Sequence, residues 1–199
     1  MECMIPRTDD AEAELVVRAQ AGDHRAFALL VGRYQDPVFR FVLRMSGIRD
    51  EAMDLTQDTF LKAYRALPAW RPEAHFRTWL FQIAHNATLD VLRRRQRVEF
   101  VPFAEDAPEG AILEATDPAP TPEQALADRQ RIGMLERALR DLPAEQREVL
   151  LLREVEDMSY AEIAATLGIG EGTVKSRLAR ARVAALAHYR GHAGENSDE

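Results

Sequence analysis

A chain of 199 residues, 46% hydrophobic and 30% charged with a formal charge of −7, has the composition of a soluble globular protein of one or two small domains. These values exclude a disordered or fibrous class, and no apolar run approaches the ~20 residues of a membrane-spanning helix. The N-terminal MECMIPRTDD lacks a basic start followed by an apolar core, and Cys3 is the only cysteine; the expectation is a cytoplasmic protein with no internal disulfide, no cysteine-rich metal site and no direct membrane insertion.

In chain order, Asp23 is placed to cap a helix through FALLVGRYQDPVFRFVLRM, where Phe27, Leu30, Val31, Tyr34, Val38, Phe41, Val42 and Met45 recur at three- and four-residue spacing. Pro37 leaves open a kink or a break. Gly47 ends the element, and Asp50 is positioned to cap EAMDLTQDTFLKAYRAL. In that helix Met53, Leu55, Thr56, Phe60, Ala63 and Leu67 form the expected buried stripe, with Glu51, Asp54, Gln57 and Asp58 outside. The loop PAWRPEAH leads to FRTWLFQIAHNATLDVLRRRQR.

This last helix joins stacking surfaces to positive charge. Trp79, with Phe76 and Phe81, offers faces on which bases stack, and His85 and Asn86 can hydrogen-bond a base edge. Arg93, Arg94, Arg95 and Arg97 would meet phosphates further along. That suits a nucleic-acid strand being separated, because a base drawn from the duplex needs a stacking partner. The alternative buries Trp79, Leu80, Phe81 and Ile83 and leaves only the arginines outside.

From Glu99 to Asp128 the chain carries Glu99, Glu105, Asp106, Glu109, Glu114, Asp117, Glu123 and Asp128, no basic residue, and Pro102, Pro108, Pro118, Pro120 and Pro122. The segment reads as an extended acidic tether, without which the rest of the chain is close to neutral. Beyond it, ALADRQRIGMLERALRDL is an amphipathic helix, Pro143 opens AEQREVLLLREVE, and Ser159 with Glu162 forms a capping box for SYAEIAATL. Gly168-Ile169-Gly170 turns the chain into GTVKSRLARARVAALAHYR, which holds no acid. At ~100° per residue, Lys175, Ser176, Ala179, Arg180 and Arg182 share one arc, while Val174, Leu178, Ala181 and Ala185 share the opposite one. This is a helix-turn-helix with a packing face and a face for a DNA major groove. The expected fold is all-α: a helical domain at 1–98, a flexible acidic linker at 99–128, a helix-turn-helix domain at 129–190 and a tail at 191–199.

AGDHRAFALLVGRYQDPV, DLTQDTFLKAYRAL, FRTWLFQIAHNATLDVLRRR and SYAEIAATLGIGEGTVKSRLARAR resemble, in order, the signature segments of bacterial sigma factors of the extracytoplasmic function (ECF) group within the sigma-70 family. The resemblance spans roughly residues 12 to 190 and implies a transcription initiation factor that takes core RNA polymerase to promoters, without an enzymatic activity or a cofactor of its own. It implies polymerase contact, to the β′ clamp helices, through Asp54, Gln57 and Asp58, with further contact to the β subunit. It implies reading of the melted −10 element by Trp70, Arg71, His75, Phe76, Trp79, His85, Asn86 and the four arginines. It implies reading of the −35 duplex by Thr173, Lys175, Ser176, Arg177, Ala179, Arg180 and Arg182. An anti-sigma factor is an implied partner, and the acidic tether would lie near the path of the growing RNA.

The competing reading is a stand-alone helix-turn-helix regulator whose N-terminal half senses or dimerises; it leaves the aromatic-then-arginine helix without a purpose. No GxSxG, phosphate loop or histidine–carboxylate cluster points to an enzyme. His188 and His192 are too few for a zinc site.

Overall fold

A computed structural model describes residues 8–71, 74–98 and 122–195. All regular elements among them are helical: α1 Thr8–Gln20, α2 His24–Ser46, α3 Arg49–Ala66, a short 3-10 turn at Leu67–Ala69, α4 Phe76–Val98, α5 Pro122–Arg140, α6 Ala144–Glu154, α7 Tyr160–Leu167 and α8 Glu171–Glu195. The all-α expectation holds among the described residues. Residues 99–121 of the expected tether lie outside the described residues, and α5 already starts at Pro122, inside the stretch read as linker.

Asp23 caps α2 as expected, its carboxylate accepting from the N–H groups of Arg25 and Ala26 at 2.9 and 3.2 Å. Gly47 ends the helix in the left-handed region at φ 78° and donates to the Leu43 carbonyl. Between them the helix is continuous. Pro37 removes one N–H within a turn whose Arg33 and Asp36 side chains are exposed, so water can serve the freed carbonyl.

Two details of α3 differ from the sequence reading. The helix starts at Arg49 with Ile48 at the N-cap and no side-chain cap; Asp50 sits in the first turn, where its charge favours the dipole. Met53 is 46% exposed rather than part of the stripe. The buried positions are Ala52, Leu55, Thr56, Thr59, Phe60 and Ala63, a run of three- and four-residue steps, and Met53 lies ~100° round from Ala52.

The N-terminal core joins Leu30, Val38, Phe41, Val42 and Met45 of α2 to Leu80, Phe81, Ala84 and Ala87 of α4, with Phe41 and Phe81 edge to face at 5.6 Å and 70°. The C-terminal core joins Val149, Leu151 and Leu152 of α6 to Met158, Ile163, Val174, Leu178 and Ala181. The two domains also pack on each other, α4 against α7 and α2 against α5 and α6. Replacing Phe81, which is 0% exposed, with alanine removes the ring from the centre of the first core. The expected cost is roughly 3–5 kcal/mol of stability, read from urea unfolding followed by circular dichroism.

Candidate nucleic-acid interface

The head of α4 carries an aromatic cluster. Trp70 and Trp79 stack with centroids 5.1 Å apart and planes 28° from parallel. Phe76, buried at 3%, meets Trp70 edge-on at 6.1 Å and 82° and tilts against Trp79 at 5.7 Å. Tyr34 of α2 backs Phe76 at 5.7 Å. Burial, then a hydrogen bond to Glu12, raises the Tyr34 phenol far above its ordinary value, so it stays neutral. Gln20 at the end of α1 donates to the carbonyls of Leu67 and Trp70 at 3.2 and 2.7 Å and pins the turn that presents Trp70. A cleft of about 420 Å³ opens beside the stack, lined by Trp70, Arg71, Ala74, Thr78, Trp79 and Gln82, together with Ala165 of α7.

Helical phase sorts the candidates on α4. Trp79, Asn86 and Arg93 recur every seven residues and share one face with Gln82; Asn86 and Arg93 are exposed and Trp79 is half-buried. Arg71, His75 and Arg94 are exposed. Phe76 is a core residue that supports the two tryptophans. His85, one residue from Asn86, is turned into the seam between the domains, 5% exposed, with Nδ1 3.3 Å from the Glu148 carboxylate. Arg95 closes the end of α4 onto α3 and α2, donating to Glu51 at 2.8 Å and to the Ser46 carbonyl at 3.1 Å. The side chain of Arg97 lies outside the described residues.

On α3, Asp54, Gln57 and Asp58 are exposed and share their face with Leu61, which is 51% exposed. The sequence reading overlooked Leu61; its spacing of seven from Asp54 and three from Asp58 was the available signal.

In the helix-turn-helix, the capping box is complete: Ser159 N–H donates to Glu162 at 2.8 Å and Glu162 N–H to the Ser159 hydroxyl at 3.2 Å. Gly168 turns the chain at φ 65°, its N–H going to the Ala164 carbonyl. Val174, Leu178 and Ala181 are buried, while Thr173, Lys175, Ser176, Ala179 and Arg180 form an exposed face. Lys175 Nζ rests 5.8 Å over the Tyr160 ring. Arg177 leaves that face for α6, where it pairs with Glu145 at 2.8 Å and Glu148 at 3.4 Å. Arg182 is exposed but paired with Glu154 at 2.6 Å.

Two separate faces suited to nucleic acid, one aromatic and cationic, one a helix-turn-helix, therefore stand on one chain. The profile of Sigma-70 region 2 matches residues 30–98, and that of Sigma-70, region 4 matches residues 132–184. The RNA polymerase sigma-H factor of Pseudomonas aeruginosa is 37% identical over 179 residues, covering 89% of this chain and 93% of that protein. The chain belongs to the ECF sigma factors of the sigma-70 family. The ECF RNA polymerase sigma-E factor of Escherichia coli is similar too, at 37% identity over 85% of this chain and 90% of its own. Among solved structures, RpoE of Bartonella quintana in complex with the anti-sigma factor NepR is 28% identical with a TM-score of 0.67, covering 82% of this chain and 96% of that one. CnrH in complex with the cytosolic domain of CnrY is 29% identical with a TM-score of 0.66, covering 89% and 96%. As a sigma factor the protein is a promoter-specific transcription initiation factor.

The recognition helix depends on the turn before it. No atom lies within 4 Å of a Cβ added at Gly168, so Gly168→Ala is opposed only by its left-handed backbone. A loss of roughly 1–2 kcal/mol is expected in chemical denaturation of the full chain.

Proposed function

We propose that this sigma factor reads the −35 duplex with the Thr173, Lys175, Ser176, Ala179 and Arg180 face of α8, and the melted −10 strand with the cleft and outer face of α4. The observation that carries this reading is the Trp70–Trp79 stack at the head of a helix whose same face continues through Asn86 to Arg93. A base expelled from the duplex would stack on the tryptophans, for about 1–3 kcal/mol, and the Trp70–His75 loop and Asn86 would read its edges. Arg71, Arg93 and Arg94 would meet the backbone. Arg95 and His85, engaged inside the protein, hold α4 in place. Lys175 and Arg180 project from the first turns of α8, the part that enters a major groove.

Polymerase docking falls to the exposed α3 face of Asp54, Gln57, Asp58 and Leu61, as a contact to the β′ clamp helices. The chemistry of RNA synthesis belongs to the polymerase, and this chain contributes positioning and strand capture. Both solved relatives are held in complexes, one of them with a stated anti-sigma factor, which supports an anti-sigma partner here. Among the described residues no helix is long and apolar enough to cross a membrane, in keeping with action in the cytoplasm.

The test is run-off transcription with core polymerase on a pool of genomic promoter fragments. Discrete transcripts dependent on both core and this protein are expected, whereas core-independent duplex binding without transcripts would favour the stand-alone regulator. On a promoter so identified, Arg180→Ala should weaken −35 binding by about 1–3 kcal/mol and relax the sequence requirement at one position. Trp79→Ala should spare closed-complex formation and reduce strand opening, measured by permanganate reactivity of −10 thymines.

A further inference from the structure

The cations of the recognition helix are held in different ways. Arg180 Nε donates to the Ser176 carbonyl of its own helix at 3.3 Å and stays on the exposed face, and Lys175 Nζ lies over the Tyr160 ring. Arg182 is taken by a carboxylate of another helix. Its Nε and Nη2 both donate to one oxygen of Glu154, at 3.0 and 2.6 Å, and the paired side chains are 52% and 47% exposed. Glu154, first by this hydrogen bond and then by its charge, raises the Arg182 pKa above its ordinary value.

Position makes the pairing consequential. Arg182 follows Lys175 by seven residues, so it lies only ~20° round the helix from it and ~10 Å further along the axis. A major groove is about 12 Å wide. When Lys175 reaches the base edges, a side chain on the same line at that remove stands at the rim of the groove, where the phosphates are. The fold itself does not call for the acid here. Glu154 is the last residue of α6, where a negative charge opposes the helix dipole. Val149, Leu151 and Leu152 of α6 and Val174, Leu178 and Ala181 of α8, all buried, already hold the two helices together, and an exposed ion pair adds little to that.

We propose that Glu154 is a positioning residue that withholds Arg182 from the DNA backbone and so keeps the affinity of the −35 face low. In the free protein Arg182 rests on Glu154. On DNA, a phosphate must displace the carboxylate before it gains the guanidinium, and the two contacts nearly cancel. Binding then depends on Lys175, Ser176 and Arg180, and it is less sensitive to salt than the cations of α8 would otherwise make it. This rests on the −35 reading proposed above and adds to it a residue of α6 that touches no DNA.

The test follows the anisotropy of a labelled duplex carrying the −35 element of a promoter found by run-off, beside a scrambled duplex. Each is titrated with the full chain at salt concentrations from about 50 to 200 mM. Glu154→Ala should tighten binding to both duplexes about fivefold at the lowest salt and steepen the fall of log affinity with log salt by about 0.9, the mark of one more phosphate neutralised. Arg182→Ala alone should change affinity by less than about twofold, and adding Glu154→Ala to it should do nothing further. The urea midpoint should stay where it is in all three variants, whereas a merely structural tie would move the midpoint and leave the salt slope alone. An equal gain from Glu154→Ala with and without Arg182 overturns the proposal, because loss of any acid near DNA would give it. A loss on Arg182→Ala as large as that on Arg180→Ala overturns it too, since Arg182 would then already sit on the backbone. Failure of the −35 reading has a different signature: equal affinity for the two duplexes, indifferent to Arg180→Ala. The dependence of the Glu154→Ala gain on Arg182, measured on the scrambled duplex, then still decides whether Arg182 is withheld, and a Glu154→Ala protein that binds neither duplex overturns both.

Discussion

The arrangement of the N-terminal domain depends on the burial of Leu80, Phe81, Ala84 and Ala87 along one side of α4. A helix of 3.6 residues per turn that commits those positions to a core has no freedom left in where Trp79, Gln82, Asn86 and Arg93 point. The face proposed to meet nucleic acid is thus set by packing, and the pins at either end, Gln20 on the Trp70 turn and Arg95 on α3, keep the helix in that rotation. Function here is a by-product of phase. Shifting the apolar positions by one residue would turn the tryptophan and asparagine inward.

Net charge is a poor guide to this molecule. The chain is acidic as a whole, yet exposed cations stand on α3, α4, α5 and α8, and several carboxylates pair with individual arginines. Arg95, Arg177 and Arg182 are each paired, which leaves Arg71, Arg93, Arg94, Lys175 and Arg180 as the exposed cations of the two faces proposed for DNA. If these groups read DNA as proposed, selectivity rests on a few placed charges, and non-specific attraction, which scales with the number of phosphates neutralised, is small.

Much of the architecture was legible because it follows from local rules. Apolar periodicity gave α2, the Asp23 and Ser159 caps announced two helix starts, and the glycine turn announced the helix-turn-helix. What local rules could not supply was the third dimension between domains. His85 and Asn86 are neighbours of similar chemistry, and only the packing of the C-terminal helices against α2 and α4 sends one to Glu148 and leaves the other exposed. Arg177 is likewise indistinguishable from Arg180 by composition, and only its position over α6 removes it from the exposed face of α8. Met53 was misplaced for a simpler reason: α3 buries Ala52 and Thr59 in its place, and small residues are a weaker signal than a methionine.

The stacked pair at the head of α4 has an optical consequence. Trp70 and Trp79 are the only tryptophans in the chain, and both line one cleft. Ultraviolet excitation at the red edge therefore reports on a single place in the molecule, with no label added. Emission from the intact protein becomes a direct record of whether that cleft holds water, the neighbouring domain or a nucleobase.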